Sequence, residues 1–249
     1  GSRILIVGDF DVDGASSCAL AIRSLKAMGH NDIQFIVPNR FEYGYGLTPE
    51  IVKIAARQKP DLIITVDNGI ASIDGVKVAR DLGIRVIITD HHLPGKELPN
   101  ANAILNPNQK GCDFPSKSLA GVGVIFYLML ALRSSLRETG WFSSKLKEPN
   151  MAKFLDLVAL GTVADVVPMD KNNRILVEQG IRRIRTGECC TGIRTLIEVS
   201  KRTSMNLTSS DIGFSIAPRL NAAGRLDDIS IGIACLLTDD VDLARDLAN

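Results

Sequence analysis

Three carboxylates stand at alternate positions near the start of the chain, in the segment DFDVDG. Asp9, Asp11 and Asp13 follow directly on an apolar run from Ile4 to Val7. Like charges this close repel one another unless a positive charge lies among them, and a bound divalent cation is the simplest such charge. The alternative is that the acids are solvated turn and helix-capping residues, which acids also favour. The segment predicts a metal site if further ligands come from elsewhere in the chain.

Calcium is the first metal to test, since D-x-D-x-D-G also opens an EF-hand loop. The twelfth position of such a loop is a bidentate glutamate, and Leu20 stands there in this chain. An EF-hand loop also follows a helix, whereas Ile4 to Val7 has the composition of a buried strand. We therefore exclude an EF-hand and place the carboxylates at the carboxyl end of a strand, where open α/β sheets bind their ligands.

Acidic and imidazole side chains follow two later strands in the same way. Asp67 ends the run LIITVD, and Asp90, His91 and His92 end VIITDHH. The chain has only 3 histidines, and two of them stand together here. Neighbouring parallel strands end along one edge of a sheet, so these side chains are predicted to meet there. Carboxylates mixed with imidazoles favour manganese or magnesium over zinc.

The elements that must position these residues alternate regularly. The β-branched runs RILIVG, IQFIVP, DLIITVD and RVIITD are separated by amphipathic helical stretches, which predicts right-handed βαβ units. From Leu119 onward helical patterns dominate. The predicted fold class is α/β, a parallel β-sheet flanked by helices and followed by a mainly helical C-terminal part. We expect an α/β metal-binding core over approximately residues 1–118 and a mainly helical part over residues 119–249.

Composition excludes several classes of protein. The 249 residues are 45% hydrophobic and 23% charged, as in an ordinary globular protein. The apolar run from Leu119 to Leu132 is too short to cross a bilayer. Five cysteines without a C-x-x-C pair predict neither a disulfide framework nor a zinc site, and we expect the reducing cytoplasm. A formal net charge of +1 argues against a simple DNA-binding module, but not against a nuclease with a locally basic groove.

Four segments together resemble a known family. In order and spacing, GDFDVDG, VDNG, TDHH and ALGTVAD resemble the four motifs of the DHH phosphoesterases, which are two-metal hydrolases. The further segments VPNRFEYGYGL, LNPN, FPSKSLAGVGV, LGTVADVVPMDKNNRIL and PRLNAAGRLDD resemble the bacterial single-strand-specific exonucleases of that family, over essentially the entire chain. The resemblance implies that residues 1–249 form one DHH catalytic domain whose helical part completes the site, without the downstream DHH-associated and oligonucleotide-binding regions. The helix-like end TDDVDLARDLAN also leads us to expect a fragment.

The resemblance implies two Mn²⁺ or Mg²⁺ ions, with Asp67 bridging them and His92 facing the scissile phosphate. Several relatives carry a histidine four residues before the first ligand acid, where this chain has Val7, and Asp9 is the candidate replacement. Asp165 is preferred over Asp156 as the last acid because GTVAD ends in the acid as the family motif does. The implied metal ligands, with Asp9 as an additional candidate, are Asp11, Asp13, Asp67, His91 and Asp165.

Six residues are candidates for substrate contact. The segment NRFEYGYGL offers Arg40, Tyr43 and Tyr45, a guanidinium and two rings suited to phosphate and to stacked bases; a glycine-kinked surface loop is the alternative. The segment PRLNAAGR offers further phosphate-binding side chains, with surface salt bridging as the alternative. These side chains are Arg219, Asn221 and Arg225.

The resemblance implies an exonuclease core that degrades single-stranded DNA from its 5′ end to mononucleotides, in DNA repair and recombination. Two bound divalent ions can activate a water for such hydrolysis, and no Ser-His-Asp or Cys-His arrangement offers a protein nucleophile. A single-strand-binding protein or a helicase is the candidate partner. The alternatives are a DHH phosphoesterase for pyrophosphate, oligoribonucleotides or cyclic dinucleotides, a haloacid-dehalogenase-like phosphatase with Asp9 as nucleophile, and a scaffold without catalysis.

Overall fold

The computed structural model describes the chain except for residues 39–43 and 227–228, and it describes the backbone but not the side chains of residues 223–226. The proposed substrate contacts Arg40 and Tyr43 therefore lie outside the described residues. The side chain of Arg225 lies outside them as well.

A five-stranded sheet in which every pair of neighbours is parallel forms the centre of the fold, in the order β2-β1-β3-β4-β5. In this order the chain direction across the sheet reverses between β1 and β3, and the crevice at such a reversal is where open α/β sheets bind ligands. The strands are β1 (Ile4–Gly8), β2 (Ile33–Ile36), β3 (Leu62–Val66), β4 (Arg85–Thr89) and β5 (Ala103–Leu105).

Helices cover both faces of the sheet and make up most of the chain after β5, so the predicted fold class is confirmed. A π-helical segment, Ile212–Ile216, joins α8 to α9, and 3-10 turns lie at Met151–Phe154 and Ser204–Asn206. The helices are α1 (Val12–Ala27), α2 (Pro49–Ala56), α3 (Ile73–Asp81), α4 (Gly121–Glu138), α5 (Leu155–Ala164), α6 (Lys171–Arg185), α7 (Thr191–Val199), α8 (Ser209–Asp211), α9 (Ala217–Leu226), α10 (Ile229–Leu237) and α11 (Val241–Ala248).

Alternate strand residues enter two different cores, as the two-residue repeat of a strand requires. Leu5 and Val7 of β1 pack on the face that α2 and α3 cover, whereas Ile4 and Ile6 pack on the opposite face with α1, α4 and α5. Burial on both faces explains why these strands read as continuous apolar runs.

Helix α1 is the central helix of the larger core. Its first three turns are almost entirely buried, and it packs against α4, α5 and α10. Small residues make this close packing possible, and the buried hydroxyls of Ser16 and Ser24 donate to carbonyls one turn back, those of Val12 and Leu20. The apolar run beginning at Leu119 contributes to α4, whose first half is buried. No helix within the described part of the chain is long and apolar enough to span a membrane.

Candidate metal centre

Three strands end level with one another and deliver the acids to one edge of the sheet. Gly8 of β1 is in register with Val66 of β3, which is in register with Thr89 of β4. The next residue along each strand is an aspartate: Asp9, Asp67 and Asp90. The shared register therefore produces the meeting of strand ends that the sequence predicts.

Asp67 occupies an unusual backbone conformation at this edge. Its φ is +62°, in the left-handed region where a residue with a side chain is uncommon and where strain often accompanies function. Asn68 stabilises the turn, because its side-chain amide donates to the carbonyls of Val7 at 3.1 Å and Val66 at 2.9 Å. That one amide ties the ends of β1 and β3 together beside Asp67.

The carboxylate of Asp13 is buried and held by the beginning of α4. Gly121 donates its N–H to Oδ2 at 2.6 Å and Val122 donates to Oδ1 at 2.9 Å. The residue before this helix is Ala120, whose side chain cannot cap it, so Asp13 satisfies free N–H groups and lies at the positive end of the helix dipole. Asp11 caps α1 in the usual way, accepting from Gly14 at 2.9 Å.

His91 lies at the centre of the cluster. Its Nε2 atom is 3.1 Å from Asp67 Oδ1, 3.5 Å from Asp165 Oδ2 and 3.9 Å from Asp13 Oδ2. Asp165 arrives from the C-terminal end of α5, and the residue after it, Val166, has a φ of +60°. A β-branched residue in this conformation is a genuine outlier, so two strained residues flank the cluster.

The ring of His91 is neutral near pH 7. Burial and the neighbouring His92 lower its pKa to about 4, against a smaller opposing contribution from a hydrogen bond to the Leu119 backbone. Its Nε2 atom has no hydrogen-bond partner among the described residues. In the tautomer that carries the proton on Nδ1, the lone pair of Nε2 faces the carboxylates, which is how a metal-binding histidine is usually held.

Three acceptor atoms in this cluster are buried and lack a hydrogen-bond partner in the described structure: Asp67 Oδ1, His91 Nε2 and Asp165 Oδ2. Burial, and then the nearby carboxylates, hold the pKa values of Asp67 and Asp13 well above their usual range, and burial with Asp11 raises the pKa of Asp165 to about 7. Converging acceptors that lack a donor and repel one another need a cation. The residues present fit a divalent metal.

A second group of acids extends the cluster across the sheet. Asp9, Asp11 and Asp67 each offer an oxygen within 4.8 Å of the others, and Asp67 also groups with His91 and His92 in this way. Burial and the charge of Asp11 raise the pKa of Asp9 to about 7. Asp67 thus lies between two sets of ligand atoms, which is the position that a bridging carboxylate requires.

His92 faces outward beside the cluster. Its Nδ1 atom lies 2.7 Å from Asp90 Oδ1, and this hydrogen bond is the main cause of its raised pKa. The Asp90 carboxylate also accepts from the N–H groups of Ile70, His91 and His92. These bonds outweigh burial and keep the pKa of Asp90 below its usual range. The sequence did not predict that Asp90 orients His92, and the only available signal was the position of Asp90 before the histidine pair.

Tyr45 is a predicted substrate contact that lies at the site. Its hydroxyl is 3.4 Å from His92 and 3.4 Å from the main-chain oxygen of Asp67, and its ring packs edge-on against Phe10 and His92. With 48% of its surface exposed, it forms part of the rim. Burial of the hydroxyl and the surrounding carboxylates raise its pKa.

Two further predicted residues lie on α9. Arg219 is exposed and Asn221 is half-buried, and this helix packs against α1, α10 and the π-helical segment. Asp156, the alternative to Asp165, is buried at the start of α5, where its two oxygens accept from the N–H groups of Leu157 and Cys190. The second bond supports the beginning of α7, so the contacts of Asp156 are structural.

The chain is similar in sequence to known proteins. It matches the DHH family, N-terminal domain, over residues 3–162. It is 60% identical over 250 residues to the single-stranded-DNA-specific exonuclease RecJ of Escherichia coli, covering 100% of this chain and 43% of that protein. It is 39% identical to RecJ of Bacillus subtilis, covering 99% of this chain and 29% of that protein. The chain therefore spans less than half the length of these relatives.

Two solved structures resemble the fold along its full length. Exonuclease RecJ bound to manganese superposes with a TM-score of 0.86 at 37% identity, covering 100% of this chain and 60% of that one. RecJ from Thermus thermophilus in complex with Mn²⁺ superposes with a TM-score of 0.82 at 35% identity, covering 100% of this chain and 34% of that one.

Proposed function

Because this chain belongs to the DHH family, we propose that it is the metal-dependent catalytic core of a single-stranded-DNA exonuclease. The observation that carries the proposal is the convergence at the strand ends of three buried acceptors, on Asp67, His91 and Asp165, that have no hydrogen-bond partner among the described residues. The 60% identity to a single-stranded-DNA-specific exonuclease supports the substrate. Attack from the 5′ end, release of mononucleotides and a role in DNA repair and recombination in the cytoplasm rest on the resemblance to that branch of the family.

The proposed metal is Mn²⁺ or Mg²⁺, in two sites that share Asp67. Bound there, divalent ions supply Lewis acidity toward the phosphate and acidify a water for hydrolysis. The solved RecJ structures that contain Mn²⁺ support this choice. The chain's own part is to hold hard oxygen ligands and one neutral imidazole in a buried, preorganised array. The proposed ligands are Asp9, Asp11, Asp13, Asp67, His91 and Asp165.

His92 is proposed to contact the scissile phosphate. Its Nδ1–H donates to Asp90 at 2.7 Å, whereas Nε2 has only a 3.4 Å contact with the Tyr45 hydroxyl, so Nε2 is the ring atom proposed to face the substrate. With 44% of its side chain exposed, it is open to a strand passing along the rim. The pair with Asp90 favours the charged imidazolium, which suits a group that faces a phosphate oxygen.

The strand itself is proposed to run past Tyr45, whose half-exposed ring beside His92 can stack on a base. The other proposed substrate contacts are Arg40, Tyr43, Arg219, Asn221 and Arg225. A chain with 29 basic and 28 acidic residues has only a locally positive groove, so we expect weak, salt-sensitive and distributive degradation. A longer chain should bind more tightly, and a single-strand-binding protein or helicase is proposed to deliver the substrate.

The test is incubation of the chain with 5′- and 3′-labelled DNA, single- and double-stranded, in Mn²⁺, Mg²⁺ or EDTA. The proposal requires metal-dependent release of the 5′ label from single strands. Pyrophosphate and dinucleotides are tested in parallel, because faster hydrolysis of these would replace the proposal with a small-substrate phosphoesterase. Hydrolysis that persists in EDTA would contradict the metal centre itself.

A further inference from the structure

The segment Asn106-Pro107-Asn108, directly after β5, holds the main chain of both histidines. The side-chain amide of Asn106 donates to the carbonyl of His92 at 2.8 Å, and that of Asn108 donates to the carbonyl of His91 at 2.6 Å. The two asparagines are also joined to each other, since Asn106 Oδ1 accepts from the Asn108 N–H at 2.7 Å. The motif LNPN thus makes one bond to each histidine.

These side-chain hydrogen bonds take the place of backbone strand pairing, which ends before residues 91 and 92. Strand β4 ends at Thr89, and the last backbone bond to β5 joins the Asp90 N–H to Leu105. Residues 91 and 92 therefore lie beyond the paired region, where a main-chain carbonyl would otherwise be free to turn. Side-chain donors from the neighbouring strand end continue the pairing by two residues.

The segment Asn106-Pro107-Asn108 is itself held in place by further hydrogen bonds. Lys117 donates from Nζ to the carbonyl of Pro107 at 2.7 Å, and Gln109 donates from its amide to the carbonyls of Ile104 and Asn106. Proline restricts its own φ, and Asn106 is buried at 4% exposure. The donors are therefore preorganised, and a small shift in them would move the histidine backbone directly.

We propose that Asn106 and Asn108 are positioning residues, each of which orients one of the two histidines. This inference rests on the proposed function. Asn108 fixes His91, whose Nε2 lies among the buried carboxylates, so its loss should weaken metal binding. Asn106 fixes His92, which faces the substrate, so its loss should slow turnover while metal affinity is nearly kept.

The experiment compares Asn106→Ala, Asn108→Ala and a matched control, Asn102→Ala. The control removes a side-chain hydrogen bond of similar length, 2.8 Å, to Val86 at the opposite end of β4. Mn²⁺ affinity is measured by electron paramagnetic resonance without any DNA, kcat and KM with single-stranded DNA, and thermal unfolding for all variants. Asn108→Asp, nearly the same shape but without the donor, is measured as well in case the alanine variant fails to fold.

For Asn108→Ala we expect a loss of about tenfold or more in Mn²⁺ affinity, the size seen when an outer support of a metal ligand is removed. For Asn106→Ala we expect a similar loss in kcat with Mn²⁺ affinity within about threefold of the control. Both variants matching Asn102→Ala in affinity and kcat would overturn the proposal. A chain that binds Mn²⁺ with this pattern but cleaves no DNA would contradict the proposed function and leave the role of Asn108 standing.

Discussion

Asp67 Oδ1 lies 3.1 Å from His91 Nε2, and neither atom has a hydrogen-bond partner in the part of the chain that is described. The imidazole is neutral near pH 7, and once Asp67 is ionised, as a metal ligand must be, two acceptors face each other across this distance. A carboxylate and a lone pair repel unless a cation lies between them. The pair is therefore arranged for a metal and not for direct contact.

Asp67→Asn should abolish hydrolysis and weaken Mn²⁺ binding by at least about tenfold, because the amide removes a charge shared by two sets of ligands. Asparagine tolerates the left-handed backbone at this position better than alanine does, so the fold should persist. Paramagnetic resonance titration and cleavage of labelled DNA measure the two effects. Asp81→Asn, an exposed carboxylate at the end of α3, is the control. Activity within about tenfold of wild type would exclude the bridging role.

Asp90→Asn should slow turnover by roughly ten- to a hundredfold with a smaller effect on Mn²⁺ affinity. The carboxylate orients His92 and raises its pKa, so its loss makes the imidazolium deprotonate at lower pH. The alkaline limb of the pH–rate profile should accordingly move to lower pH, as measured by kcat across the range. An unshifted limb would mean that the protonation state of His92 does not limit the reaction.

Asp9→Asn should stabilise the metal-free protein at about pH 8 and not at about pH 4. Burial and Asp11 raise the pKa of Asp9 from 3.8 to about 7. Protonation of Asp9 therefore stabilises the folded protein relative to the unfolded chain. This stabilisation is complete below pH 3.8 and is lost as the pH rises through about 7. The amide has no proton to lose, so we expect a gain on the order of 2 kcal/mol, several degrees in Tm.

Thermal unfolding in EDTA at several pH values measures this difference. Adding Mn²⁺ should reverse it near neutral pH, because the ionised carboxylate then has a cation to bind. A Tm difference between variant and wild type that stays constant with pH would show that Asp9 is ionised in the folded protein without penalty.

We expect Asp156→Ala to lose folding stability but keep its Mn²⁺ affinity, and Asp165→Ala to lose Mn²⁺ affinity but keep its folding stability. Removing Asp156 leaves the buried N–H groups of Leu157 and Cys190 without an acceptor, which should cost about 1–3 kcal/mol of folding free energy. Mn²⁺ affinity should remain near wild type. Removing Asp165 should lower Mn²⁺ affinity and, in EDTA, leave Tm unchanged or raised, since a repelling carboxylate is gone. The reverse pattern would make Asp156 the ligand.

Gly121→Ala should disrupt the centre from the helix side. A Cβ at this position would lie 2.5 Å from Asp67 Oδ1, closer than any contact that packing allows. We expect weaker Mn²⁺ binding and a lower Tm, measured as above. Gly95→Ala is the matched control, because its Cβ would meet nothing nearer than 3.7 Å. Equal behaviour of the two variants would show that Asp67 can move without consequence.

The sequence predicted the parts of this site that local pattern determines. The meeting of Asp67, His91 and His92 at one edge of the sheet could be predicted because each comes just after an apolar run, and parallel pairing fixes the register of these runs. Strand β5 was not predicted, since its three residues are too few to show a repeat. Asp165 could be chosen over Asp156 only through family resemblance, because both lie in one apolar helical segment.

The sequence did not predict contacts between residues that lie far apart along the chain. The N–H groups of Gly121 and Val122 reach Asp13 across more than a hundred residues, and no periodicity signals such a bond. The π-helical segment before α9, which packs against α5, was not predicted either.

The order in which the ligands occur along the chain has a consequence for biosynthesis. Asp9, Asp11 and Asp13 are made first, whereas Asp165 comes at the end of α5 and reaches the others only when α5 packs against α1. A ribosome that has synthesised the whole parallel sheet has therefore still produced an incomplete set of the proposed ligands. On the proposed function, the emerging polypeptide cannot assemble a complete metal centre until its helical part has packed against the sheet.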